Sequence, residues 1–320
     1  MMEFIRANTM DLVAAVIIDF ILGDPYWFPH PIIYIGRMIN MLEKKFRAKA
    51  ENQKQLKVLG ALIVLLICIL SFGVPFILLY ITWTIKPVLH IVNIFILWTT
   101  IAARCLYTES KKVYTALAEG DIKGARKYVS YIVGRDTSDL PEKEIVRAAV
   151  ETVAENSSDG VIAPMLYAVI GGAPLAMLYK GINTMDSMLG YMNEKYRHIG
   201  FFPAKTDDFA NFVPARLTGI LICLCAPITN GNIVRSFKIM LRDRKNHKSP
   251  NCAYPEAAAA GAMKIMLGGN NIYFGELVEK PTMGDKIYEL QISHIEQANR
   301  LMFGAEVLFL VIIAAIFLVM

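Results

Sequence analysis

Three acidic residues stand one helical turn apart at Glu151, Glu155 and Asp159. The run before them has a helical period. Ile145, Ala148, Ala149, Thr152 and Val153 form an apolar face, and Glu151 and Glu155 share another side at i, i+4. Like charges at that spacing repel unless cations stand between them. The stretch Asn156-Ser157-Ser158-Asp159-Gly160 is expected to end the helix and turn the chain. One use of this pattern is a solvated acidic stripe closed by a helix cap. The other is a set of oxygen donors, Glu151, Glu155 and Asp159, converging on a hard cation such as Mg²⁺.

A second polar group follows closely, with Lys180, Asn183, Thr184, Asp186 and Ser187 in "KGINTMDS". An ammonium beside an amide, a hydroxyl and a carboxylate can hold a phosphate together with its metal. In "TDDFANFVPAR", Asp207 and Asp208 precede an apolar run that carries Arg216. A guanidinium at membrane depth is costly, so it marks function unless it is paired with one of those aspartates. Pro255-Glu256 opens "AAAAGAM", a helix with an acid in its first turn and small residues suited to close packing. Lys280, Gly284 and Asp285 close the same loop and again set an ammonium beside a carboxylate. The sequence has no G-x-x-x-x-G-K-[ST] phosphate loop, Gly-x-Ser-x-Gly, His-Glu-x-x-His or Cys-x-x-Cys. The five cysteines show no metal-ligand spacing and read as buried free thiols.

The elements that must position these groups are apolar blocks. The chain has 320 residues, 55% hydrophobic and only 19% charged, with mean hydropathy +0.42. That balance predicts an all-α, polytopic integral membrane protein forming one domain over 1–320. Apolar segments fall near 10–23, 59–83, 88–103, 161–179, 212–228 and 303–320, with polar loops at 104–160, 180–211 and 230–302. The first carries Asp11 and Asp19, and 161–179 is interrupted by Pro164, Gly171-Gly172 and Pro174. Both are expected to be broken or re-entrant around a polar cavity facing the cytoplasm, because irregular backbone at membrane depth needs cover. The 10–23 run lacks the features of a cleaved leader. Basic residues gather between 37 and 57 and between 104 and 147. The positive-inside rule puts both loops in the cytoplasm of a cell-membrane protein. Juxtamembrane basic residues of this kind do not call for nucleic acid.

Four stretches occur in order: "DFILGDPYWFPHPIIYIGRMI", "ETVAENSSDGVIAPMLY", "GINTMDSMLGYMNEKYRHIGFFPAKTDDFANFVPARLTG" and "SPNCAYPEAAAAGAM", the last continuing to "EKPTMGD". Together they resemble the CbiB/CobD-type membrane synthases of cobalamin biosynthesis, over nearly the whole chain from Asp11 to Asp285. The resemblance implies amide formation between the propionate of adenosylcobyric acid and aminopropanol or its O-phosphate. The product is adenosylcobinamide or its phosphate. A carboxylate does not condense with an ammonium in water, so ATP with Mg²⁺ is the expected activator. On that reading Glu151, Glu155, Asp159 and Asp186 hold metal, and Lys180, Arg197, Arg216 and Lys280 meet phosphates or propionates. Asn156, Asn183, Ser187 and Glu256 orient substrate, with His30, Asp24, Asp207 and Asp208 behind them. Lys180, Asn183, Asp186 and Glu256 are the catalytic candidates. Partners would be the two substrates, the bilayer and other late corrin-pathway proteins. A transporter with a polar site at the midplane shares the broken helices and buried charges, but no half of the chain repeats the other.

Overall fold

The computed structural model describes residues 2–273, 276–278 and 281–319, with side chains described over 8–270 and 281–316. In chain order the helices begin with α1 (Met2–Leu22), α2 (Pro31–Arg47), α3 (Gln53–Thr82), α4 (Lys86–Trp98), α5 (Ala103–Ala118) and α6 (Ile122–Val129). Then come α7 (Glu142–Asn156), α8 (Ala163–Leu189), α9 (Phe201–Ala210), α10 (Phe212–Leu224), α11 (Ile233–Asp243), α12 (Ala253–Met263) and α13 (Ser293–Val319). Four short strands lie between the last two: β1 (Met266–Gly268), β2 (Asn271–Tyr273), β3 (Glu276–Val278) and β4 (Thr282–Gly284). The all-α expectation therefore describes the body of the chain, with these strands added. The chain divides into two compact, interleaved units: Met1–Ala102 with Ala163–Asn211, and Ala103–Ile162 with Phe212–Met320.

Among the described residues, four helical stretches are long and apolar enough to cross a membrane: Gln53–Thr82, Lys86–Ala118, Glu142–Leu189 and Ser293–Ile316. Helix α3 is the plainest. Its 30 residues rise about 45 Å, and only 22% of its most apolar window is buried within the protein. Leu65, Ile69, Phe72 and Phe76 point outward, as a lipid-facing side requires. The apolar segment expected at 212–228 is shorter in the structure. Helix α10 has 13 residues, rising about 20 Å against about 30 Å of hydrocarbon, and a 3₁₀ turn follows at Ala226–Thr229.

In the first unit, Ile39, Ile63, Ile67, Tyr179, Met185 and Leu189 pack a core between α2, α3 and the C-terminal half of α8. Helix α8 is broken as its sequence predicts: Gly171 and Gly172 leave helical geometry, and Gly172 has φ +66°. A non-glycine residue there would be strained, and its Cβ would stand 3.0 Å from Asn8 Oδ1. The freed backbone is satisfied by a neighbouring helix. Asn93 on α4 accepts the Ala173 N–H at 3.3 Å and donates to Asp11 at 2.7 Å and to Asn8 at 3.2 Å. His90 closes the network on Asp11 at 2.9 Å. The carboxylate at Asp11 thus helps to hold the asparagine that caps the second half of α8.

In the second unit, α11 and α12 pack through small residues. A Cβ on Gly261 would sit 2.9 Å from the Ser236 Cα, and Ser236 Oγ donates to the Ala258 carbonyl at 2.7 Å. The alanine run is a packing face. Helix α12 ends at Lys264 with φ +60°, and the chain enters β1, which pairs antiparallel with β4 from Met266–Gly284 to Gly268–Thr282. Arg242 forks onto Asp243 at 2.7 and 2.8 Å and reaches Asp285 at 2.8 Å, while Asp243 accepts the Gly284 N–H at 2.8 Å. Arg235 holds the other Asp285 oxygen at 2.7 Å. Asp285 is therefore gripped by two arginines. Lys280, its expected cationic neighbour, lies outside the described residues.

Candidate functional site

The acidic group is carried by α7, which follows Pro141 and has Glu142 and Glu144 in its first turn, where carboxylates favour the helix dipole. The expected chain reversal at 156–160 does not occur. The helix passes instead into a π-helical turn, Ser157–Ile162. The reason is local. Ser157 Oγ donates to the Val153 carbonyl at 2.7 Å, and Asn156 Nδ2 donates to the Thr152 carbonyl at 3.0 Å. These polar side chains serve the preceding turn rather than ending it. Such one-turn bulges are frequent at functional positions.

Glu151 and Glu155 differ in surroundings. Glu151 accepts the Gly268 N–H at 2.8 Å through Oε1 and Arg135 Nη2 at 2.9 Å through Oε2. Arg147 Nε stands 3.7 Å from Oε1. The cations that relieve the acidic stripe include arginines, and Glu151 fixes the turn between β1 and β2 to α7. Glu155 instead accepts the Cys252 thiol at 2.8 Å. Cys252, His247 and Glu256 bring one donor atom each within 4.8 Å of one another. Cys252 and Glu256 are four residues apart at the start of α12, and Glu256 is only 4% exposed. Burial pushes the Cys252 thiol well above its ordinary 9.0, and the nearby charges of Glu155, Asp159 and Glu256 push it further. Those three carboxylates therefore act on one place.

Two of them, Glu155 and Glu256, border a recess of about 120 Å³ whose walls also include Arg135, Glu151, Asn156 and His247. At about 30 Å³ per water this admits a hydrated ion or a phosphoryl group, and it falls below the ~300 Å³ of the smallest usual ligand pockets. A corrin ring does not enter it. Nearby, Arg216 lies over the rings of Phe212 and Tyr254 at 3.4 and 4.4 Å and donates to Asn251 Oδ1 at 3.2 Å. An aromatic cradle and an amide thus hold the guanidinium, where the sequence suggested an aspartate. His247 accepts the Ser249 N–H on Nδ1 at 3.0 Å.

The remaining candidates belong to the first unit. Lys180, Asn183, Asp186 and Ser187 fall within an arc of about 120° on α8, at about 100° per residue. Asn183 Nδ2 donates to Asp207 Oδ1 at 3.3 Å, and Lys205 pairs with Asp208 at 2.7 Å. Ser187 and Arg197 are exposed. His30 is the N-cap of α2, accepting the Ile32 N–H at 3.2 Å, and its Nε2 faces Asp24 at 3.6 Å. Asp186 is thus carried by one unit and Glu151, Glu155 and Asp159 by the other.

Sequence reasoning missed Cys252, His247 and Arg135. The available signal was Cys252–Glu256 at i, i+4 after a loop carrying His247. Ordinary zinc spacings do not include it.

Comparison with known proteins agrees with the resemblance of the motifs. The family described as "CobD/Cbib protein" matches residues 12–302. A protein named cobalamin biosynthesis protein CobD from Clostridium acetobutylicum is 62% identical over 303 residues, 95% of this chain and 96% of that one. Proteins of the same name from Clostridium tetani and Geobacter metallireducens are 59% and 49% identical, each over 95% of this chain and covering 96% and 95% of their own lengths. No solved structure matches the chain. With the match unbroken through α7, the π-helical turn and α12, the chain belongs to the CobD/Cbib protein family.

Proposed function

We propose that this protein is the membrane synthase of cobalamin biosynthesis that joins aminopropanol, or its O-phosphate, to the propionate of adenosylcobyric acid. The observation that carries the chemistry is the small recess beside Glu155, Asn156 and Glu256, whose carboxylates and size suit an ion or a phosphoryl group. The relatives' name supplies the pathway. ATP activates the propionate. A carboxylate oxygen attacks phosphorus to give an acyl phosphate or adenylate, and ADP or pyrophosphate leaves. The amine nitrogen then attacks the acyl carbon, expelling phosphate or AMP and losing a proton to solvent.

The donor set fits a divalent cation. Glu155 and Glu256 supply carboxylate oxygens at the recess and Asn156 an amide oxygen, while Glu151 is engaged by Gly268 and Arg135. A divalent cation bound there would neutralise charge building on phosphate oxygens. Arg216, held flat by Phe212 and Tyr254, presents a fixed positive charge to a phosphate or propionate. On α8, Lys180, Asn183, Asp186 and Ser187 carry an ammonium, an amide, a carboxylate and a hydroxyl of the kind that binds an amino alcohol phosphate. The basic loops support a cytoplasmic-side reaction under the positive-inside rule, on the side where ATP is available.

The test is turnover by detergent-purified protein with adenosylcobyric acid, Mg-ATP and (R)-1-amino-2-propanol O-phosphate, read by mass spectrometry of the amide. Product that disappears in Glu256→Gln and Asp186→Asn supports the proposal. No product with that donor, the free amino alcohol or ethanolamine phosphate rejects it. The break in α8 with its capped second half is also a transporter feature. ATP-independent accumulation of corrinoid in vesicles would establish that second reading.

A further inference from the structure

We propose that His247, Cys252, Glu256 and Glu155 form a site for a thiophilic divalent cation of the Zn²⁺ or Co²⁺ class, taken in preference to Mg²⁺. The inference rests on the reading of this recess as a cation site and names the ion it is built for. Mg²⁺ asks for oxygen ligands in an octahedron and keeps several of its waters. A site for it has no use for a sulfur and an imidazole. Zn²⁺ and Co²⁺ accept nitrogen, sulfur and oxygen together at about 2.0–2.3 Å. Ligand atoms round such an ion lie under about 4 Å apart, so donors already within 4.8 Å need only a small closure.

The scaffold favours that closure. Cys252 and Glu256 stand one turn apart at the head of a helix packed on α11 through small residues, and Glu155 reaches the sulfur at 2.8 Å from α7. Binding forms bonds from the metal to sulfur, nitrogen and oxygen and releases the thiol proton to solvent. One contact opposes it. His247 Nδ1 accepts the Ser249 N–H, and freeing a ring nitrogen with the right tautomer gives up that bond. A single neutral hydrogen bond is worth about tenfold in a binding constant, small beside the contribution of a metal–ligand bond.

The experiment uses the full chain in detergent, stripped with chelator and free of corrinoid. It is titrated with Co²⁺ and Zn²⁺, with Mn²⁺ followed by electron paramagnetic resonance as the stand-in for Mg²⁺. The expected result is a sulfur-to-cobalt charge-transfer band in the near ultraviolet, bleached by one equivalent of Zn²⁺ and unmoved by a large excess of Mg²⁺. Cys252→Ser removes the band and weakens Zn²⁺ binding by at least about 100-fold, more than loss of an outer contact does. His247→Gln, in the loop before α12, weakens it as well and shifts the ligand-field bands. Co²⁺ bound without a sulfur band, or with one that survives Cys252→Ser, overturns the inference. Mn²⁺ binding that needs Glu155 but not Cys252 also overturns it while leaving the cation site standing. Absence of both Co²⁺ and Mn²⁺ binding removes the cation site itself.

Discussion

Replacing Glu151 separates a clamp from a cation ligand. Its carboxylate receives the Gly268 N–H at 2.8 Å and Arg135 at 2.9 Å, and the side chains of the arginine and the glutamate are only 5% and 14% exposed. Hydrogen bonds involving a charged group contribute about 1.5–3 kcal/mol each. Removing one partner of a largely buried ion pair costs about 3–5 kcal/mol, because the other charge is left in a poor medium. The two estimates describe overlapping losses, so Glu151→Ala is expected to destabilise by about 3–5 kcal/mol in total. Glu151→Gln keeps an acceptor for Gly268 and loses only the charge, which sets it near half that value, about 2 kcal/mol. Thermal unfolding in detergent gives the stability. Hydrogen exchange at the Gly268 amide reports the local tie, and cation titration reports the recess. The expected pattern is lost stability and faster exchange at Gly268, with cation affinity kept in the glutamine variant. Unchanged stability and protection together with lost cation binding would refute the reasoning and make Glu151 a ligand.

Three further outcomes are expected. Asn93→Leu removes the acceptor of the Ala173 N–H and the donor to Asp11 in a position 3% exposed, and should cost about 2–4 kcal/mol in detergent unfolding; an unchanged midpoint would show that water replaces it. In the metal-free protein, Cys252 should alkylate slowly at mildly alkaline pH and faster once denatured, with Glu155→Gln intermediate, since burial and then neighbouring carboxylates hold the thiol protonated; equal rates folded and unfolded would contradict this. Burial raises the Asp243 carboxyl, but bonds from Arg242 and the Gly284 N–H outweigh it and leave it below 3.8. A depressed carboxyl stabilises the fold above its unfolded value and loses that effect as pH falls through the folded one, so exchange along β1 and β4 should quicken below about pH 4 in the native chain and not in Asp243→Asn.

Much of this was legible because it is local. The charge-free run at 59–83 needs no tertiary information to become α3, and Gly171-Gly172 ahead of Pro174 announces a break wherever the helix is placed. The period from Ile145 to Val153 yields α7 for the same reason. What was not legible has two sources, a local competition at the end of α7 and distant partners elsewhere. Asn156 and Ser157 read as a stop because their side chains compete with the backbone; here they bond back one turn, and the helix widens instead. The bond from the Gly268 N–H to Glu151 was not legible because the two residues are 117 apart in the chain. Arg216 looked as if it needed an aspartate because Tyr254 arrives from α12 and Asn251 from the loop before it. His247, Cys252 and Glu256 share a neighbourhood only after the loop before α12 is folded.

The interleaving of the two units has a consequence for how the chain is made. Residues 103–162 leave the ribosome after only the first part of one unit, and residues 163–211 complete that unit before the other receives its remainder. Neither unit is a contiguous stretch that folds as it emerges, in contrast to domains finished one after another during synthesis. Asn93 and Asp11 are present in the nascent chain long before the Ala173 N–H they help to satisfy. Glu155 waits similarly for Cys252. A nascent chain halted near residue 211 would hold every residue of the first unit, while α7 still carried acidic side chains without the helix that meets them.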